Sequence, residues 1–462
     1  MKQFTIRRVV STASAAVLFA GLTLHSFAQN PEVVPVTGPK TNNISVIDLP
    51  TVLQLAGARS LDVKVAQEKL FEAKANRESA QWQFFPWLSP GLSYRRHEDL
   101  VQTVEGNIIN TDKESYTVGP TLNAQVDLGE AIYKNLASKQ LVKAATSTLQ
   151  AQQQETLFNA AGGYFDLARA QASVAVAADA QRISREYFEQ TQHAVEAGIA
   201  FKGDALRAQV QLEKNLLTLR QATELQQTAS ARLVQILHLH PGLELTTPGS
   251  ELLPLQIMNT NASLETLIVR ALGSHPEIAQ TRFALAAARE VRKGVVYGPY
   301  IPTVGAQLFA GGLGGGKDGG DHTFGGSQDY QVTLGWRVGP GGLFDRGRIR
   351  AADARLNIAQ LNTEKLADEI IRQVTEAHAR VSSLTEQLAT ARRALTAADQ
   401  SLRLTQQRKD FAIGAVLENI QSEQDLTRAR LDYVTIVAEF NKAQYSLRRA
   451  VGELSPGGIK DP

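Results

Sequence analysis

The chain contains no cysteine. That excludes disulfides, a thiolate nucleophile, a zinc–thiolate site and a lipidated N-terminal cysteine. It also lacks an excess of charge: 48 Lys+Arg against 46 Asp+Glu leave a formal +2, which argues against a nucleic-acid binder held by bulk charge. Proline is sparse, at 16 in 462 residues, so long stretches are free to stay helical. With 20% charged and 43% hydrophobic residues, wholesale disorder is excluded. At roughly 100–200 residues per domain the length allows two to four domains. After Ala28 no apolar run approaches the ~18 residues of a spanning helix. Barrel strands alternate and escape hydropathy, so periplasmic, secreted and outer-membrane barrel locations all stay open.

What is present begins with an export signal. Lys2, Arg7 and Arg8 precede an apolar stretch from Val9 to about Leu24, and Ser26-Phe27-Ala28 places small residues at the −3 and −1 positions of a cut before Gln29. The polar Asn30–Asn43 beyond it argues against a membrane anchor. Removing residues 1–28 takes three positive charges and no negative ones, leaving −1.

The chain then repeats itself. Val52–Gly91 set over Glu265–Val304, at an offset of 213, aligns Ala58, Ala66, Gln67, Ala73, Ala75 and Pro86 with identical residues, and Trp87-Leu88 with Tyr300-Ile301. Each half reads as helix, Pro-aromatic break, two extended segments around a polar loop, very long helix, Gly-containing turn and helix. Such a period marks a duplicated unit, not a solenoid. The expected organisation is a leader at 1–28, an extended segment at 29–50, a first repeat at 51–240, a linker at 241–262, a second repeat at 263–452 and a tail at 453–462.

The expected helices are Thr51–Phe85, Gly129–Ala197 and Asp204–Leu237, then Ser263–Tyr297 (with Pro276 early), Asp345–Lys409 and Glu418–Val451. At 1.5 Å per residue the two longest span about 100 Å. The last helix carries a seam of Leu426, Ala429, Tyr433, Ile436, Phe440, Ala443 and Leu447 at alternating steps of three and four, which buries one stripe against a partner helix. A looser seam runs through Leu212, Asn215, Leu219, Ala222, Gln226, Ala229 and Leu233. A soluble coiled coil would show the same pattern.

Four extended segments are expected, at about 87–94, 116–128, 302–310 and 329–339. Tyr330, Val332, Leu334, Trp336 and Val338 alternate with Gln331, Thr333, Gly335 and Arg337, as on a tilted membrane strand. The first segment is interrupted by Pro90. Their loops, Arg95–Ser115 and Gly311–Asp329, are long and polar. Four strands cannot enclose a pore alone, and lipid tolerates no open sheet edge, so strands in a membrane require several chains in one barrel. A half-buried soluble sheet fits the alternation equally; the leader, the duplication and the helix lengths favour the membrane.

Three local patterns now carry a resemblance. They are the junctions Phe85-Pro86-Trp87 and Gly298-Pro299-Tyr300, the segment Phe344-Asp345-Arg346-Gly347-Arg348, and the turns Glu196-Ala197-Gly198-Ile199-Ala200 and Phe411-Ala412-Ile413-Gly414-Ala415. In this order, over nearly the whole chain beyond residue 28, the sequence resembles the TolC family of outer-membrane efflux proteins. The absent N-terminal cysteine departs from many of its members. The resemblance implies a mainly α fold with a membrane β-barrel: a homotrimer pooling four strands per chain, with long helical hairpins as a periplasmic tunnel. It implies a passive exit duct of a tripartite efflux pump or type I secretion system, with no enzymatic activity and no cofactor. Its partners would be outer-membrane lipid, a periplasmic adaptor and an inner-membrane transporter. It further implies adaptor-contacting tips at Gly198, Ile199, Ala200, Gly414, Ala415 and Val416. Acidic residues would stand at the periplasmic gate: Asp204, and Glu418 or Glu423. Asp204 equally suits a helix N-cap, and a solvated helix face is the reading favoured for Glu418 and Glu423. In such a barrel Gln331, Thr333 and Arg337 would line water, with Val332, Leu334 and Trp336 towards lipid.

Other patterns lead nowhere. Gly311–Lys317 fits the front of a phosphate-binding loop, but Asp318 replaces the required Ser or Thr; a flexible exterior loop is expected. His238 and His240 lack a third ligand for zinc. A periplasmic or surface coiled-coil scaffold remains the competing class.

Overall fold

The computed structural model describes residues 43–455 apart from 250, 259–261, 318–322 and 411–415. The leader at 1–28, most of the 29–50 segment, the end of the 453–462 tail, and Gly414 and Ala415 lie outside the described residues. The first half runs β1 (Asn43–Val46), α1 (Leu49–Arg59), α2 (Leu61–Trp82), β2 (Trp87–His97), a ribbon of β3 (Leu100–Gln102) and β4 (Ile108–Asn110), β5 (Lys113–Asp127), α3 (Leu128–Glu196), α4 (Lys202–Ile236) and β6 (Leu243–Thr246). The second half runs α5 (Leu264–Ser274), α6 (Pro276–Tyr297), β7 (Thr303–Lys317), β8 (Thr323–Gly335), α7 (Arg346–Asp410) and α8 (Val416–Val451). Helix for helix, Leu49 answers to Leu264, Leu61 to Pro276 and Trp82 to Tyr297, a spacing of 215. The spacing of 213 holds at the proline junction, because the chain takes two more residues to reach Pro86 from α2 than Pro299 from α6.

The expected helix Thr51–Phe85 is broken at Ser60, whose ψ of 126° leaves the helical region. Its hydroxyl accepts from Val63 N at 3.3 Å and so restarts the chain as α2. His275 breaks the second half in the same place. Its Nδ1 accepts from Glu277 N at 3.3 Å, and Pro276 takes the first helical position, where no N–H is needed. His275 is buried, and desolvation together with Arg449 pushes its pKa down to about 4, so it caps as a neutral ring.

The 241–262 stretch is more than a linker. Its β6 pairs in parallel with β1, from Asn43↔Leu243 to Val46↔Thr246. Residues beyond it lie along α8, where Asn441 and Gln444 are 0% exposed. Asn441 Oδ1 accepts from Leu255 N at 2.8 Å and its Nδ2 donates to Leu253 O at 3.0 Å. Gln444 Oε1 accepts from Ile257 N at 2.6 Å and Met258 N at 3.2 Å, and its Nε2 donates to Leu255 O. Two side-chain amides thereby satisfy a backbone that has no strand partner of its own.

The four-stranded sheet is antiparallel, in the order β2-β5-β7-β8. Its strands are longer than expected because they consume the anticipated loops. Gly311–Lys317 is the end of β7, not a flexible loop. The glycines make room for rings: a Cβ at Gly314 would overlap Tyr116, and one at Gly312 would overlap Phe324. Pro90 does not interrupt β2, which lies at a sheet edge. Pro120 opposite it falls at the gap between Val118↔Gly312 and Thr121↔Phe309 in the β5–β7 ladder, where its missing N–H breaks nothing.

Below the sheet, α3 runs beside α2, α4, α6 and α8, and α7 beside α5, α6 and α8. Core clusters form midway along the long helices. One joins Val52, Ala56, Ala160, Leu167, Leu233 and Leu245, another Leu267, Ile278, Ile370, Val374, Phe440 and Leu447. The third ties the halves together through Leu53, Leu157, Phe165 and Tyr445. The α8 seam is one of two buried stripes, since Val437, Ala438 and Tyr445 are buried as well. Truncating Gln444 to Ala orphans the N–H groups of Ile257 and Met258 at about 1–3 kcal/mol each. The expected result is a lowered unfolding midpoint with new proteolysis at 253–258; an unchanged midpoint would refute the role of the amide.

Candidate functional site

The register of the sheet sorts its side chains onto two faces. On one lie Ser89, Thr121, Asn123, Gln125, Gln307, Gln331 and Thr333; on the other Leu88, Leu122, Val126, Val304, Leu308, Val332 and Leu334. Cross-strand partners share a face, so one surface is mainly polar, interrupted by Trp87 and Phe309, and the opposite one is apolar. Near the ribbon end the apolar face carries Tyr94, Tyr116 and Phe324, the last two stacked at 6.0 Å between centroids. Beyond them Arg96 pairs with Glu98 at 2.7 Å and Asp112 at 2.8 Å.

Gln331 and Thr333 therefore sit on the polar face. Arg337 does not, because β8 ends at Gly335. Gly339 and Gly341, at φ 103° and 77°, turn the chain back so that Leu343 N donates to Arg337 O at 2.9 Å. Trp336 leaves the sheet too, donating from Nε1 to Tyr300 O at 3.2 Å. The Phe344–Arg348 segment then starts α7. Asp345 accepts from Gly341 N at 2.9 Å and Arg348 N at 3.0 Å, and these donors, Arg348 N first, hold its carboxyl below the usual range.

At the far end α3 stops in a Schellman turn. Ile199 N donates to Ala194 O at 2.8 Å and Gly198 N to Val195 O at 3.0 Å, with Gly198 at φ 73°. Ile199 and Phe201 are each 82% exposed. Phe201 escaped the sequence reading because an isolated aromatic in a turn has no periodicity to mark it. It is also the N-cap of α4, which corrects Asp204 as a cap. Asp204 sits in the first turn and accepts from Arg207 Nη1 at 3.3 Å. In the second half Val416 opens α8, and Glu418 occupies the place Asp204 holds in α4, paired with Arg408 at 2.7 Å.

Glu423 departs most from expectation: it is not on a solvated face but 2% exposed. Its Oε1 accepts from Asn215 Nδ2 at 3.2 Å, and its Oε2 has no partner. Asn215 also donates to Ala180 O on α3 at 3.1 Å and accepts from Gln211 at 3.0 Å, while Gln424 of α8 donates to Gln211 at 2.6 Å. Alongside, Arg430 of α8 pairs with Asp179 of α3 at 2.6 Å. Desolvation lifts Glu423 to about 7, opposed by the Asn215 hydrogen bond and helped by the charge of Asp179. Sequence reasoning passed over this network, although an asparagine within an apolar seam was its visible signal.

The comparisons with known proteins agree with this geometry. The sequence model of the outer membrane efflux protein family matches residues 52–237 and again 267–453. The chain belongs to the outer membrane efflux protein family. Protein CyaE of Bordetella pertussis is 26% identical over 310 residues, 66% of this chain and 64% of CyaE, so the match spans just under two thirds of that relative. The outer membrane efflux protein BepC of Brucella suis is 23% identical over 342 residues, 73% of this chain and 72% of BepC. The crystal structure of a membrane protein from Pseudomonas aeruginosa superimposes with a TM-score of 0.74 at 18% identity, covering 89% of this chain and 92% of that one; at that identity the likeness shows the fold. This chain is therefore an outer-membrane protein. The turn between α3 and α4 depends on Gly198: a Gly198→Ala exchange forces an L side chain to φ 73° and should destabilise the turn by about 1 kcal/mol. Faster hydrogen exchange at 194–200 would register it, and unaltered exchange would count against it.

Proposed function

We propose that three copies of this chain form one water-filled duct, through which cargo crosses the outer membrane and periplasm without meeting lipid. The observation that carries this reading is the sheet: four strands, one apolar face, and unpaired edges at β2 and β8. Lipid does not tolerate such edges. Adding β8 of one copy to β2 of the next, three times, closes twelve strands and turns the polar face inwards. The helices support the same joint. Leu61, Val65 and Phe71 on α2, and Ile358 and Leu361 on α7, are exposed in the single chain on the two helices that flank the array.

In this reading residues 1–28 direct export, and Gln331 and Thr333 face water. The duct works passively above an adaptor and an inner-membrane transporter, which supplies the energy. Ile199 and Phe201, with Gly198, Ala200 and Val416, form the tips that meet the adaptor. Asp204 and Glu418 stand in matching first turns, so a trimer carries rings of each near the entrance, attracting cations and repelling anions. Their arginine partners weaken those rings without abolishing them, since exposed pairs are screened and labile.

Two substitutions separate the faces. Val332→Arg places a charge against lipid at about 2–4 kcal/mol and should abolish heat-modifiable trimers in outer-membrane fractions. Gln331→Arg should still insert and alter single-channel conductance. Equal tolerance of both would refute the barrel. Asp204→Ala should lower cation over anion selectivity in planar bilayers, and unchanged reversal potentials would remove Asp204 from the entrance.

A further inference from the structure

We propose that Glu423 is a proton-operated latch holding the α3–α4 and α7–α8 hairpins together at the periplasmic end of the duct. The inference rests on the duct reading and adds its regulation. Glu423 lies seven residues into α8, about 10 Å along the helix from its start. There α8 and α4 meet through polar side chains: Glu423 with Asn215, and Gln424 with Gln211. Asn215 simultaneously holds Ala180 O of α3, so a single amide ties three helices to one carboxyl.

The second carboxyl oxygen is what makes this joint sensitive to protons. Oε2 is buried without a hydrogen-bond partner, and a buried charge with half its acceptors unfilled is costly. A protonated Glu423 removes that cost while Oε1 keeps its bond to Asn215. Among the described residues no cation pairs with Glu423. From α3 come Asp179, already shared by Arg182 and Arg430, and Tyr187, which is buried and feels the charges of Asp204 and Glu423. From α4 come the neutral Asn215 and Gln211. From α7 come Thr405, hydrogen bonded to Ser422 at 3.1 Å, and Arg408, committed to Glu418.

Parting the hairpins would expose Glu423 to water, where a glutamate titrates near 4.3. The joined state therefore binds a proton that the parted state releases. Its advantage is complete below about pH 4 and is lost as pH rises through about 7. Acid shuts the entrance; neutral and alkaline conditions loosen it.

The test is conductance of the full-length trimer in planar bilayers between pH 5 and pH 8. Open probability of the wild type should rise between about pH 5 and 7, by up to roughly tenfold per pH unit for each copy whose hairpins part, since each releases one proton. Glu423→Gln keeps the shape and the Asn215 bond but cannot ionise, so it should stay shut and lose the pH dependence. Asn215→Ala, which removes the tie, should open at every pH. A wild type indifferent to pH, or a Glu423→Gln trimer that still titrates, overturns the latch while leaving the duct intact. Inserted trimers that never conduct, Asn215→Ala included, overturn the duct and the latch with it.

Discussion

Hydrocarbon cannot hydrogen-bond a peptide group, and the rest of this architecture depends on that. A four-stranded sheet with β2 and β8 left open has a row of unsatisfied groups along each side. In water such edges are a nuisance; in a bilayer each unpaired group costs several kcal/mol. In the proposed duct the apolar face of the sheet lies against lipid, and lipid then requires its edges to pair with other copies. Closure is transmitted downward, because α3 follows β5 without a break and α7 follows β8 after the turn at 336–345. The proposed trimer therefore shares one closure between a barrel and a tunnel.

Helices about 100 Å long have no globular core to rest on, so they stabilise one another sideways. The solution here is to concentrate the apolar side chains in belts midway along α3 and α7, where short helices end and new ones begin. Ser60 and His275 interrupt α1–α2 and α5–α6 at that level, and both interrupting residues are buried caps. The helix α8 is held on two sides, with α7 along its seam and α3 on the other flank. Its second stripe carries Asn441 and Gln444 because what crosses there is a bare extended backbone that needs donors and acceptors.

The long helices, the hairpin strands and the duplication were legible because each rests on a periodicity sustained over many residues. The 69-residue α3 and 65-residue α7 need only the absence of proline and a repeating apolar pattern. What escaped was local or non-periodic. Ser60 looks like any helix serine until its ψ is seen. The four-residue strands β1 and β6 are too short to alternate. The glycines of β7 read as a loop because the rings that require them belong to other strands: Tyr116 is far away in sequence, and Phe324 falls within the same expected loop. At the periplasmic end Gly198 was readable from chemistry alone, whereas Glu423 resembled any acid on a charged helix. Its burial is decided by α3 and α4, and a one-dimensional pattern does not report which helix stands opposite.

The contacts between the halves also show where the duplication has been broken. Matching the starts of α4 and α8 places Gln209 and Leu216, not acid and base, at the positions of Glu423 and Arg430. The same match places Ala429 where α4 has Asn215. The polar links thus run one way: α8 supplies the carboxyl and the guanidinium, α3 and α4 supply Asp179 and Asn215. Glu423 faces Asn215 and not its own repeat equivalent, Gln209, so an undiverged repeat would carry a glutamate at 209 and an asparagine at 429 as well. The two halves keep only one of these pairs, and divergence at these few positions therefore makes the joint between the hairpins one-sided.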